Sequence, residues 1–102
     1  MTNDRPIARI DEVPIGKTKR IDRASDAILL CNAGGTLYAI EDACSHDGAE
    51  FEAVDVEDCR IMCPRHGALF DVTTGEALTL PAFLPIRTYA LRVEGNDVFI
   101  EG

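Results

Sequence analysis

No apolar run in the chain approaches the ~18 residues that carry a helix across a bilayer. The opening residues, Met1-Thr2-Asn3-Asp4-Arg5-Pro6, lack the apolar segment of a secretion signal. Both absences lead to the expectation of a cytoplasmic protein with no membrane partner. There is no glycine-rich phosphate cradle of the Rossmann or P-loop kind, which argues against nicotinamide or flavin binding. Repeats and low-complexity stretches are absent too. Histidine is scarce: His46 and His66 are the whole supply. Basic residues are missing from one long stretch, which holds Glu41, Asp42, Asp47, Glu50, Glu52, Asp55, Glu57 and Asp58 without a Lys or Arg. Elsewhere ten acids balance ten bases, so the net charge of −8 resides in that stretch. Nucleic acid is thereby disfavoured as a partner, because its phosphates would be repelled. The stretch suits docking to a basic protein surface, or is simply a solvated loop.

What is present is a 102-residue chain with 46% hydrophobic residues, the length of one domain spanning 1–102. Short β-rich runs separated by Gly and Pro predict an all-β domain. Ile7–Ile10 reads as a first strand. Ala27–Cys31 and Thr36–Ile40 flank the hairpin turn Asn32-Ala33-Gly34-Gly35. Thr88–Val93 and Val98–Ile100 flank a second turn, Glu94-Gly95-Asn96-Asp97. Arg60-Ile61-Met62 reads as a strand leading into Cys63. Helix should be scarce, with one short turn near Ala49–Ala53. Thr73-Thr74-Gly75-Glu76 predicts a tight turn, and Leu80-Pro81-Ala82-Phe83-Leu84-Pro85 a stiff apolar loop that either connects strands or folds over a cofactor.

Two short motifs carry the chemistry: Cys44-Ser45-His46 and Cys63-Pro64-Arg65-His66. Each offers one thiolate and one imidazole, and together they use both histidines. Gly48 and Gly67 follow them, and Pro64 stiffens the second. Two Cys and two His are the ligands of a [2Fe–2S] cluster in which imidazoles replace two thiolates on one iron. They also satisfy tetrahedral zinc, which remains the competing metal. Zinc fingers, however, pair Cys with Cys and His with His. Here each motif holds one of each, which suits two irons better. The two further cysteines, Cys31 and Cys59, are expected to be buried structural thiols. A cytosolic setting disfavours disulfides.

The stretch Cys44-Ser45-His46 … Cys63-Pro64-Arg65-His66-Gly67-Ala68-Leu69-Phe70-Asp71-Val72-Thr73-Thr74-Gly75 resembles the Rieske family, and the likeness extends over most of the chain. The resemblance implies two small antiparallel sheets plus a cluster-binding subdomain at about 42–80. It implies one [2Fe–2S] cluster, with Cys44 and Cys63 on the inner iron and His46 and His66 on the outer one. It further implies a ferredoxin, not itself an enzyme, that carries one electron from an NAD(P)H-dependent reductase to a terminal ring-hydroxylating oxygenase. A monomer is the default for such a shuttle. Readings kept beside this are the small Rieske-like subunit of an assimilatory nitrite reductase and a zinc-stabilised interaction module.

Departures from the cytochrome bc-type members refine the expectation. Ala49 and Arg65 stand where those members carry a disulfide, and Ala68 and Phe70 stand where they offer Ser and Tyr hydroxyls. Neither replacement side chain donates a hydrogen bond. Neutral imidazoles leave the oxidised cluster uncharged, which favours an added electron relative to an all-cysteine cluster. Missing donors and nearby acids such as Asp47 oppose this. The expected potential therefore lies at the low end of the Rieske range, roughly −150 mV.

Overall fold

The run Ile28-Leu29-Leu30-Cys31 lies on the most deeply buried strand of the molecule, with all four residues fully enclosed. This computed structural model describes residues 5–23, 26–44, 48, 50–51, 54–65 and 67–101. Along that strand, successive side chains enter different cores. Leu29 and Cys31 join one cluster of buried residues, and Ile28 and Leu30 join another. A strand covered on both faces has no polar side to alternate with, which is why its sequence reads as a continuous apolar run.

Among the described residues nine strands follow in chain order: β1 (Ala8–Arg9), β2 (Thr18–Asp22), β3 (Ala27–Ala33), β4 (Thr36–Glu41), β5 (Arg60–Met62), β6 (Leu69–Asp71), β7 (Thr88–Tyr89), β8 (Leu91–Glu94) and β9 (Asp97–Ile100). They form three antiparallel sheets. One has the order β2-β3-β4-β7, a second β1-β9-β8, and the third is the pair β5-β6. All-β architecture is therefore the observed class. The helical content among the described residues is one 3₁₀ turn, Ile10–Glu12. It was not apparent in the sequence, and the turn expected near Ala49–Ala53 falls on positions of which Ala49, Glu52 and Ala53 lie outside the described residues. Among the described residues no helix is long and apolar enough to cross a membrane.

Both predicted hairpins form. Ala33 pairs with Thr36 around Gly34-Gly35, and Glu94 with Asp97 around Gly95-Asn96. The single strand expected over Thr88–Val93 is divided at Ala90. Thr88–Tyr89 pairs with β4, and Leu91–Glu94 pairs with β9. The chain passes from one sheet to the other there, a choice of pairing partner that local alternation does not report. Strand β2 also went unread, because Thr18-Lys19-Arg20-Ile21-Asp22 is charged and sits at a sheet edge, where side chains need not be apolar.

The first core lies between the four-stranded sheet and β5-β6, and contains Leu29, Ile40, Phe51, Ile61, Phe70, Ala82 and Ile86 together with Cys44 and Cys63. The second lies between the two larger sheets and contains Ala8, Val13, Ile28, Leu30 and Ala39. The four-stranded sheet thus serves as a floor for the part of the chain that carries both motifs.

Candidate metal centre

Cys44 and Cys63 are brought into one buried group, with exposures of 1% and 0%. Cys44 follows the end of β4 by three residues, and Cys63 directly follows β5. Each begins a loop closed in the same manner. Gly48 N–H donates to the Cys44 carbonyl at 2.7 Å, and Gly67 N–H donates to the Cys63 carbonyl at 2.9 Å. Both glycines have positive φ, 77° and 75°. The geometry gives them a backbone role: they occupy the left-handed region that ends each turn, and a Cβ at either would meet no atom of the described residues within 4 Å. Counted from the cysteine, both loops are the same five-residue turn, a likeness hidden when the motifs are aligned on their histidines. His46 and His66 lie within these turns but outside the described residues.

The second loop is closed at its base by strand pairing. Met62 lies opposite Leu69, and Cys63 N–H donates to the Ala68 carbonyl at 2.8 Å. Ala68 and Phe70 are fully buried. The first loop is closed by a side chain: Phe51 N–H donates to Asp42 Oδ1 at 2.8 Å. The two halves then meet through an edge-to-face contact of Phe51 and Phe70, with ring centroids 5.5 Å apart and planes at 84°. Ala82 packs into the same core, whereas Leu80, Phe83 and Leu84 of its loop face solvent. The Pro81–Pro85 loop therefore covers the cysteine layer with its smallest residue and presents its largest outward.

The acidic stretch is more structural than its charge suggested. Asp42 is enclosed and bonded to Arg20, Glu50 pairs with Arg20 at 3.0 Å, and Asp55 pairs with Lys17 at 3.1 Å. Glu57 and Asp58 are exposed, while Asp47 and Glu52 lie outside the described residues. One expectation is corrected. Cys31 is buried, but Cys59 is exposed. It forms with Asp58 the two-residue tip of a hairpin in which the Glu57 and Arg60 backbones exchange hydrogen bonds at 2.9 Å. Both tip residues have positive φ, 53° and 62°, a conformation that such turns usually fill with Asn or Gly. The atypical pair Asp-Cys concealed the turn.

The four cysteines are thiols rather than disulfides. Burial pushes the Cys31 thiol up to about 12, with the nearby Asp42 carboxylate adding to the effect. Cys31 is thus an inert packing residue. Two thiols in one apolar layer, each on a tight turn that also carries a histidine, fit an iron–sulfur cluster by donor chemistry. Soft thiolate ligands select such clusters, and the surrounding Phe51, Phe70, Ala68 and Ala82 exclude water.

A family profile described as Rieske [2Fe-2S] domain matches residues 3–90. The chain is 46% identical over 93 residues to the 3-phenylpropionate/cinnamic acid dioxygenase ferredoxin subunit of Shigella boydii serotype 4 (strain Sb227), covering 90% of this chain and 87% of that one. Among solved structures, the ferredoxin of carbazole 1,9a-dioxygenase from Nocardioides aromaticivorans IC177 superposes with a TM-score of 0.88 at 30% identity, covering 97% of each chain. The Sphingomonas yanoikuyae B1 ferredoxin gives 0.90 at 27% identity, covering 98% of this chain and 99% of that one.

Proposed function

This chain belongs to the Rieske [2Fe–2S] domain family, and from that membership we infer that it is the ferredoxin component of a multicomponent ring-hydroxylating dioxygenase system. It is an electron carrier with one [2Fe–2S] cluster rather than a catalyst. When bound, the cluster supplies a one-electron couple, raised above that of all-cysteine ferredoxins by its two imidazole ligands.

The whole of 1–102 acts as one Rieske domain, with residues of about 42–80 carrying the metal. Cys44 and Cys63 supply the thiolates, and His46 and His66 the imidazoles. The observation that carries this assignment is the pair of buried cysteines opening two turns of one geometry. A zinc finger has no need of two matched Cys-x-His-type loops. The chain's residues do three things: they provide four donors, they keep water from the thiolate side with Phe51, Phe70 and Ala82, and they present a surface to partner proteins. Those partners are an NAD(P)H-dependent reductase as donor and a terminal oxygenase as acceptor, met in the cytoplasm by a monomeric shuttle.

Spectroscopy of the purified protein, followed by reconstitution, tests the proposal. The expected result is a red-brown protein with thiolate-to-iron charge-transfer bands, an EPR signal on reduction, and electron delivery from a flavin reductase to a ring-hydroxylating oxygenase. A colourless protein containing one zinc per chain overturns it.

A further inference from the structure

The two turns that carry the motifs rise from one core, yet their bases are held by different means. The second sits on the β5-β6 pair, whose three-residue register runs Arg60 to Asp71, Ile61 to Phe70 and Met62 to Leu69. The first has no ladder of this kind: β4 ends at Glu41, and the next strand among the described residues begins at Arg60. Two side chains stand in for it. Asp42, whose side chain is 0% exposed, accepts the Phe51 N–H on Oδ1 and the Arg20 Nη1–H on Oδ2, at 2.8 and 2.6 Å. Arg20 Nη2 reaches Glu50 at 3.0 Å. One guanidinium thus grips both ends of segment 42–51, and one carboxylate bonds its last backbone N–H.

Arg20 lies on β2, opposite Leu29, and is not part of either motif. An enclosed carboxylate is costly without charge-assisted partners, so the closed form of the segment depends on Arg20. The strain of losing it would not stop at Asp42. The segment ends at the buried Phe51, whose ring abuts Phe70 on β6, behind the second turn.

We propose that Arg20 and Asp42 are positioning residues for the metal centre: they clamp the first ligand loop at its base and fix where Cys44 stands relative to Cys63. The inference rests on the cluster assignment above. The retention of the cluster, and the symmetry of its surroundings, then depend on a β2 guanidinium that touches no ligand.

The test uses the holoprotein and four variants: Arg20→Gln, Asp42→Asn, the conservative Arg20→Lys, and a control, Val98→Ala, at a fully buried position on β9 of the three-stranded sheet. Three quantities are read: loss of visible absorbance in excess iron chelator, the EPR g values after dithionite reduction, and the thermal midpoint. Arg20→Gln and Asp42→Asn should release iron about tenfold faster than wild type, as removal of a supporting partner of metal ligands does, and should shift the g values. Arg20→Lys should recover most of the retention. Val98→Ala should lower the thermal midpoint while keeping the wild-type g values and release rate. If the control releases iron as fast as Arg20→Gln at a matched midpoint, or if the clamp variants retain wild-type spectra and rates, the clamp is overturned. Should Arg20→Gln fail to fold, Asp42→Asn and Arg20→Lys carry the same comparison. A wild-type chain that purifies without a cluster overturns the ferredoxin assignment itself, a result distinct from a coloured wild type with unaffected variants.

Discussion

Single residues divide the four cysteines into three kinds. Cys44 and Cys63 are buried at the start of the two motif turns, Cys31 is buried in the same core on β3, and Cys59 stands exposed at a hairpin tip. Maleimide applied to the folded holoprotein should therefore label one thiol per chain, at Cys59, and Cys31 should react only after unfolding; mass spectrometry of the labelled peptides decides this. Cys31 also has a pH consequence. Its thiol is raised from 9.0 to about 12 in the folded chain, so above pH 9 the unfolded state loses a proton that the folded state keeps. Stability should hold below about 9 and fall as pH rises toward 12. Cys31→Ala should flatten that slope in denaturant titrations. Beside Cys63, whose N–H its carbonyl accepts, Ala68 offers no hydroxyl. Ala68→Ser would place a donor beside the second loop. Hydrogen bonds to charged groups contribute about 1.5 kcal/mol, which for one electron corresponds to about 60 mV. The midpoint potential, expected at roughly −150 mV in the parent chain, should rise by that amount in a potentiometric titration, whereas a parent midpoint well above zero contradicts the low-potential reading.

Elements show where sequence pattern and tertiary choice part company. The expected Thr73–Glu76 turn is present, and its glycine matters for a reason that only packing reveals. Gly75 has φ of 80°, and a Cβ there would run into the Ile86 carbonyl oxygen, which belongs to the segment after the Pro81–Pro85 loop. Ile86 N–H also donates to the Gly75 carbonyl at 2.8 Å. Gly75→Ala should cost at least about 2 kcal/mol, combining left-handed strain with a backbone clash, and urea unfolding measures it. Strand β3 and both glycine-tipped hairpins were legible because burial and turn chemistry are local signals. Strand β2 and the break at Ala90 were not, since edge position and sheet switching depend on partners distant in sequence.

Across the whole molecule, charge is the property that matters for a shuttle. A net charge of −8 favours encounter with basic partner surfaces and is screened by salt. Stopped-flow reduction by the reductase should slow as ionic strength rises from about 0.01 to 0.5 M, while thermal stability changes little. The structure narrows which acids serve this purpose. Asp42, Glu50 and Asp55 are tied to Arg20 and Lys17, so the exposed Glu57 and Asp58 of the Cys59 hairpin are the better docking candidates. Neutralising both, by Glu57→Gln and Asp58→Asn, should reduce the salt dependence; Glu50→Gln should not.

The sequence by itself determined the class of donor chemistry this protein offers. Two thiols and two imidazoles on short, glycine-ended motifs point to a metal site, iron–sulfur or zinc, because residue identity and spacing are written within five residues. It also determined the β class, through short β-rich runs separated by Gly and Pro turns. Tertiary structure alone decided which cysteine meets solvent, where one strand becomes two, and that three acids of the charged stretch are tied to Arg20 and Lys17. The physical reason lies in separation along the chain. A buried carboxylate is stable only where a cation reaches it, and for Asp42 that cation is 22 residues away on another strand. No local pattern specifies such a partner, yet it holds the carboxylate that closes the first motif loop.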